Sequence, residues 1–228
     1  MAVVSKYKDG PYTKYGFLTN SHCTNTQGGT ESTQYTQDAQ SGTTIAEELY
    51  DPQYFACQGN RLCRYSDAAF ATFDGFPYQQ FDFGAVYLPA NPGDNQSSLA
   101  IDSEADTDDW GSYGTGYLTN KVGSVSGWTQ GPIVITGMDY DQYREGPFGN
   151  PVDTGITLLD NNVVDAGSAN GDSGSAVFQI NNSNSVLRLS GILWGGGLDP
   201  EDDDNLVFVY STGDNIVSEL PGGTDVQD

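Results

Sequence analysis

Three short segments carry the side chains in this sequence that could act on a substrate. Thr19-Asn20-Ser21-His22-Cys23 follows an apolar run and holds the chain's one histidine. Tyr65-Ser66-Asp67 heads the apolar run Ala68-Ala69-Phe70-Ala71. Gly171-Asp172-Ser173-Gly174 brackets a serine with glycines just before a second apolar run. A serine hydroxyl is a poor nucleophile at neutral pH and needs a base within hydrogen-bond reach. His22 is the only imidazole that could serve. Taken singly, each segment has a plainer explanation: a surface histidine, a strand-start aspartate, a tight turn that uses glycine. Their order along the chain, His then Asp then Ser, is informative, because unrelated folds place the same residue types in other orders.

The elements that must position these residues are short strands. Residues 2–8 and 15–20 read as strands around the turn Asp9-Gly10-Pro11, and 67–73 and 83–88 as buried or half-buried strands. Further strands are expected at 118–122, 132–139, 155–159, 175–180, 186–194 and 205–211. Residues 24–44 are rich in Thr, Gln, Gly and Ser and read as a long loop or polar strands. The end, Gly213–Leu220, puts Ile216, Val217 and Leu220 on one face of a short helix. Many short strands with Gly-rich turns and no βα alternation predict an all-β barrel or sandwich.

Composition narrows the function classes. The 228 residues carry 31 acidic and 8 basic side chains, a formal net charge of −23. This argues against binding nucleic-acid phosphates or an anionic membrane surface. No apolar stretch is long enough for a transmembrane helix. The acidic residues are 24 Asp and 7 Glu, which places the charge on loops and turns. Two acidic runs, 102–109 and 199–204, are read as solvated loops, with calcium binding as the alternative because that cation takes several oxygen ligands. No other metal or cofactor is implied: one histidine and no C-x-x-C pair leave no zinc site. Cys57 and Cys63 could close a small disulfide loop, with Cys23–Cys63 as the alternative. Either bridge favours an extracellular or periplasmic setting.

The Gly-Asp-Ser-Gly segment, with His-Cys and an Asp-led apolar strand before it, resembles the chymotrypsin-like serine proteases, bacterial members in particular. Val122-Gly-Ser-Val-Ser-Gly-Trp128 resembles the motif that opens the second barrel. Leu189–Gly197 resembles the strand lining the substrate cleft, and Phe208-Val-Tyr-Ser211 resembles the strand before the terminal helix. The resemblance spans nearly the whole chain. It implies two six-stranded antiparallel β-barrels, residues 1–114 and 115–228, with the active site between them and a short helix at the end.

The resemblance also implies roles. Ser173 would be the nucleophile of a secreted endopeptidase, His22 its general base and Asp67 the group that orients His22. The backbone N–H groups of Gly171 and Ser173 would form the oxyanion hole. Lys121 would neutralise a buried Asp172 without any new N-terminus, an exposed Lys121 being the plainer reading. The base of the specificity pocket would fall at Gly167 and Ser168, so a preference for Lys or Arg is not implied. Trp194 would stand where most members have a serine that holds the catalytic aspartate, and Gly195 and Gly196 would leave backbone free to pair with a peptide. A peptide or protein is the implied partner, and a monomer is expected. Only 21 residues precede His22, so an upstream segment is expected. The competing reading is a catalytically silent relative that binds peptide in the same cleft.

Overall fold

The computed structural model describes residues 3–37, 42–76, 113–147, 150–180, 187–198, 206–220 and 224–225. The expected strand at 83–88 and the acidic runs at 102–109 and 199–204 lie outside them.

The first half supplies β1 (Val3–Asp9), β2 (Tyr12–Asn20), β3 (Gln34–Gln37), β4 (Thr43–Tyr50), β5 (Phe55–Ala56), β6 (Leu62–Arg64) and β7 (Ala68–Thr72). The second supplies β8 (Leu118–Gly123), β9 (Gly127–Glu145), β10 (Pro151–Val164), β11 (Ala176–Ile180), β12 (Leu187–Leu198), β13 (Leu206–Thr212), the helix α1 (Gly213–Glu219) and β14 (Thr224–Asp225). One antiparallel sheet has six strands in the order β14-β1-β2-β7-β4-β3. The other runs β13-β12-β11-β8-β9-β10-β6-β5. In it β10 also pairs with β13, so strands β8 to β13 pair round in a ring of six. The all-β class and the terminal helix are as expected.

One pairing departs from the all-antiparallel expectation. β6 runs parallel to β10, with Leu62, Cys63 and Arg64 opposite Ile156, Thr157 and Leu158. Arg61 pins this junction. Its guanidinium grips both carboxylate oxygens of Asp153 at 2.7 and 2.9 Å, and also donates to the Thr157 hydroxyl and the Ile156 carbonyl. A bidentate fork of this kind fixes geometry as well as charge. The Cys57–Cys63 disulfide closes the β5–β6 hairpin, while Cys23 is free and exposed.

Strand alternation explains why the apolar runs are continuous. Successive side chains point to opposite faces, and here both faces are covered. Leu18, Phe70, Phe178 and Ile192 join one core together with Trp128, Ile216 and Leu220. Their chain neighbours Phe17 and Ala71 enter a second core, and Val177 and Leu193 a third with Phe208 and Tyr210. The first core draws on both sheets and on α1, so it joins the two halves next to the ends of β2 and β7, where His22 and Asp67 lie.

Candidate active site

His22 sits in a single 3₁₀ turn, Ser21–Cys23, at the end of β2. Asp67 immediately precedes β7, the strand that pairs with β2. The β2–β7 register, Asn20 opposite Ala68, therefore sets the two side chains beside each other. The junction is held at the backbone: Ser21 N–H donates to the Asp67 carbonyl at 2.9 Å, and the Asn20 amide does so at 3.0 Å. The Asp67 carboxylate is fully buried. One of its oxygens contacts His22 Nδ1, and the other accepts the His22 backbone N–H at 3.2 Å. On the far side of the ring, His22 Nε2 lies 2.8 Å from Ser173 Oγ. Residues 45 and 151 positions away from His22 thus meet on its two ring nitrogens.

Burial pushes the His22 pKa down, and the Asp67 carboxylate outweighs it, with a smaller contribution from Cys23. The net direction is upward from the ordinary imidazole value. This follows from an opposite charge in contact within a water-poor site.

Ser173 is carried on a tight turn before β11. Asp172 N–H donates to the Ala169 carbonyl at 3.0 Å, and Gly171 sits third in that turn at φ 99°. A positive φ at this position is the mark of a type II turn and favours glycine. The N–H groups of Gly171 and Ser173 donate to no partner among the described residues. Gly174 N–H donates to the Leu193 carbonyl at 3.0 Å, tying the turn to β12.

Beneath the turn, Lys121 Nζ lies 2.9 Å from Asp172 Oδ2, both side chains being fully excluded from solvent. Asp172 accepts four further donors: the Ser126 hydroxyl and the N–H groups of Val125, Ser126 and Ala169. Burial alone would raise its pKa, but these donors and Lys121 hold it far below the usual carboxylate range. Burial conversely draws Lys121 downward, against the pull of Asp172. Gly123 must be glycine for the pair to fit, because a Cβ there would lie 2.1 Å from Asp172 Oδ1.

An open cleft of about 850 Å³ runs past His22 and Ser173, walled by Gln27, Tyr140, Trp194 and the glycines 195–197. A smaller recess of about 260 Å³ opens beside Ser173, lined by Ser168, Ala169, Asn170, Leu193, Trp194 and Leu206 among others. Ser168, Trp194, Gly195 and Gly196 thus come together as a group. Gly167 lines neither cavity, and its carbonyl accepts from the Thr129 hydroxyl. β11 pairs with β12 only up to Ile192. From Trp194 to Gly197 that edge of β12 has no strand against it among the described residues.

Trp194 makes no hydrogen bond to Asp67. Its indole N–H donates to Asn161 Oδ1 at 2.9 Å, and the Ser211 hydroxyl donates to the same oxygen at 3.2 Å. Ser211 Oγ in turn accepts the backbone N–H of Asp67 at 3.0 Å.

Sequence reasoning missed a second buried ion pair. Arg64 and Asp51, both fully buried side chains, meet at 2.8 Å. Asp51 also accepts the Ser21 hydroxyl next to His22, and Arg64 donates to the carbonyl of Ala68 next to Asp67. Glu219 of α1 accepts the N–H groups of Tyr65 and Ser66, fixing the approach to Asp67 from the other side. The available signal was scarcity: with 8 cations in the chain, an arginine three positions before Asp67 is informative.

No protein-family model and no curated protein matches the chain. Solved structures do. A glutamic acid specific serine protease, described as using a histidine triad in substrate binding, aligns over 98% of this chain and 91% of its own, with a TM-score of 0.58 and 18% identity. Nocardiopsis protease aligns over 99% and 90%, with a TM-score of 0.58 and 16% identity. Thermobifida fusca protease A aligns over 96% and 95%, with a TM-score of 0.52 and 16% identity. At these identities the likeness is one of fold, and it extends over almost the full length of both partners: the chain has the chymotrypsin-like fold of the bacterial serine proteases.

Proposed function

We propose that the chain is a secreted serine endopeptidase that works through an acyl-enzyme, with Ser173, His22 and Asp67 as its catalytic residues. The observation that carries this reading is the placement of Ser173 Oγ and Asp67 on opposite nitrogens of one imidazole. In the first step neutral His22 takes the Ser173 proton as Oγ attacks the substrate carbonyl. Asp67 keeps the proton of Nδ1 directed at itself and stabilises the imidazolium that forms. The oxyanion of the tetrahedral intermediate is received by the N–H groups of Gly171 and Ser173, which have no other partner among the described residues. The imidazolium then protonates the leaving amine. Water, activated by the same ring, releases the acyl group in the second half.

The substrate is an extended peptide or protein. The unpaired edge of β12 from Trp194 to Gly197 supports strand addition, because no side chain at the glycines obstructs the backbone. The recess beside Ser173 takes the side chain at the cleavage site. The neighbour's histidine triad has no counterpart here, since His22 is the chain's one histidine. Secretion is supported by the Cys57–Cys63 disulfide, which persists in oxidising compartments. Among the described residues no helix is long and apolar enough to cross a membrane.

The test is intact-mass analysis after treatment with a fluorophosphonate. One adduct is expected, mapping to Ser173 and absent from Ser173→Ala and His22→Ala. A folded wild-type chain that takes no adduct would replace this reading with that of a silent peptide-binding relative.

A further inference from the structure

The carboxylate of the aspartate in such a site faces the histidine it serves, and each further donor on it reduces the charge that the ring feels. Here the hydroxyl of Ser211 is spent on the Asp67 backbone and on Asn161, and Trp194 is directed to Asn161 as well. The carboxylate itself takes its remaining side-chain donor from elsewhere. Gln27 Nε2 donates to Asp67 Oδ1 at 3.1 Å, the same oxygen that accepts the His22 N–H. Gln27 is partly exposed and faces the cleft, so one side chain touches both the buried acid and the substrate channel.

The loop is built to keep it there. The next residue, Gly28, donates its N–H to Ser21 Oγ at 3.1 Å and to Asp51 Oδ2 at 3.0 Å. Gly28 has φ 82°, and a Cβ on it would lie 2.1 Å from the ring of Tyr54. Asp51 is in turn fixed by buried Arg64. An ion pair, a serine and a glycine thus anchor the backbone one residue beyond Gln27, and Ser21 in the same cluster adjoins His22.

We propose that Gln27 is a positioning residue for Asp67, supplying through its amide the hydrogen bond that fixes and moderates the charge facing His22. This rests on the reading of His22, Asp67 and Ser173 as the catalytic set. A donor on a carboxylate draws charge from it and weakens its hold on a facing cation. Without that donor, Asp67 binds the imidazolium more tightly and the ring titrates at higher pH. The other ionisable groups around the pair are Cys23 beside the ring, Tyr54 towards Asp67, and the Arg64–Asp51 pair below the loop. None of them is altered by a change at position 27.

The variants are Gln27→Met, which keeps the volume and removes the donor, and Gln27→Asn, which keeps the amide but withdraws it by one methylene. The chain's one histidine allows ring titration by NMR without ambiguity of assignment. Both variants are expected to raise the midpoint of the His22 ring by roughly half a pH unit or more. The maximal rate of fluorophosphonate inactivation should fall roughly tenfold, with the half-saturating concentration unchanged. A ring midpoint that does not move in either variant would overturn the proposal. The protease reading fails separately, by absence of labelling in the wild-type chain. The ring titration needs no activity and still decides the link between Gln27, Asp67 and His22.

Discussion

Asp172 and Lys121, 51 positions apart, form a fully buried ion pair at 2.9 Å directly under the turn that presents Ser173. The pair is surrounded by donors to the carboxylate, which tie residues 125, 126 and 169 to the aspartate. Taking one partner away would leave the other charge in the interior. Lys121→Met is expected to lower unfolding free energy by roughly 3–5 kcal/mol in urea titrations. The double variant Lys121→Met/Asp172→Asn should recover part of the loss. A Lys121→Met protein as stable as wild type would mean that the four other donors suffice for Asp172.

The same pair sets the behaviour in acid. The Asp172 pKa is lowered on folding, so its contribution to stability is present above the unfolded carboxylate value near 3.8 and is lost as pH falls through the folded value. For His22 the sign is opposite. Its raised pKa contributes stability that is full below about 6.5 and is lost as pH rises through the folded value. Urea midpoints measured from pH 2 to pH 10 should therefore fall at the acid end. Lys121→Met/Asp172→Asn should flatten the acid part of the profile, and His22→Ala should flatten the part on the alkaline side of neutrality.

Reactivity should follow the neutral form of His22. Because Asp67 holds the ring's pKa up, the acid limb of fluorophosphonate labelling should lie above the pH 6.5 of an ordinary imidazole. Asp67→Asn removes the charge that raises it and should move the limb down while slowing labelling by orders of magnitude. Labelling that stays independent of pH between 5 and 9 would disconnect His22 from the reactivity of Ser173.

The strands built on apolar runs, and the three residues that meet around the His22 ring, were legible in the sequence because their signals are local, whereas no strand was expected over residues 45–64, where most of β4 and all of β5 and β6 form. Apolar runs such as Ala68–Ala71 and Ala176–Phe178 mark strands covered on both faces, and Gly-Asp-Ser-Gly marks a turn. Other features lacked such a signal. Arg64 with Asp51, and Glu219 with Ser66, are polar pairs 13 and 153 positions apart that leave no period in the chain. The parallel β6–β10 pairing joins a three-residue strand to one more than 90 positions away, held by Arg61 rather than by an apolar pattern. The polar extension of β9 to Glu145 escaped the expected span of 132–139 because its side chains at Asp141, Tyr143 and Arg144 are exposed. Gln27 sits in a loop whose Thr, Gln and Gly content predicts only exposure; its partner Asp67 lies 40 positions further on, and the Asp51 that holds Gly28 lies 23 positions beyond that glycine.

Arg64 offers the sharpest separation of support from chemistry. It touches neither Ser173 nor the His22 ring, yet with Asp51 it braces Ser21 on one side and Ala68 on the other. Arg64→Met leaves Asp51 buried without its cation, and a loss of roughly 3–5 kcal/mol is expected. The burial of Asp51 already pushes its carboxyl pKa up despite Arg64, so the variant should take up a proton at Asp51 on folding. Its stability should then rise as pH is lowered from 8 to 5, relative to wild type, since protonation relieves the unpaired charge. Arg64→Met/Asp51→Asn should remove that pH dependence. Urea midpoints of the three proteins at pH 5 and pH 8 test this directly. Equal pH dependence in all three would show that Asp51 is served by Ser21 and Gly28 alone.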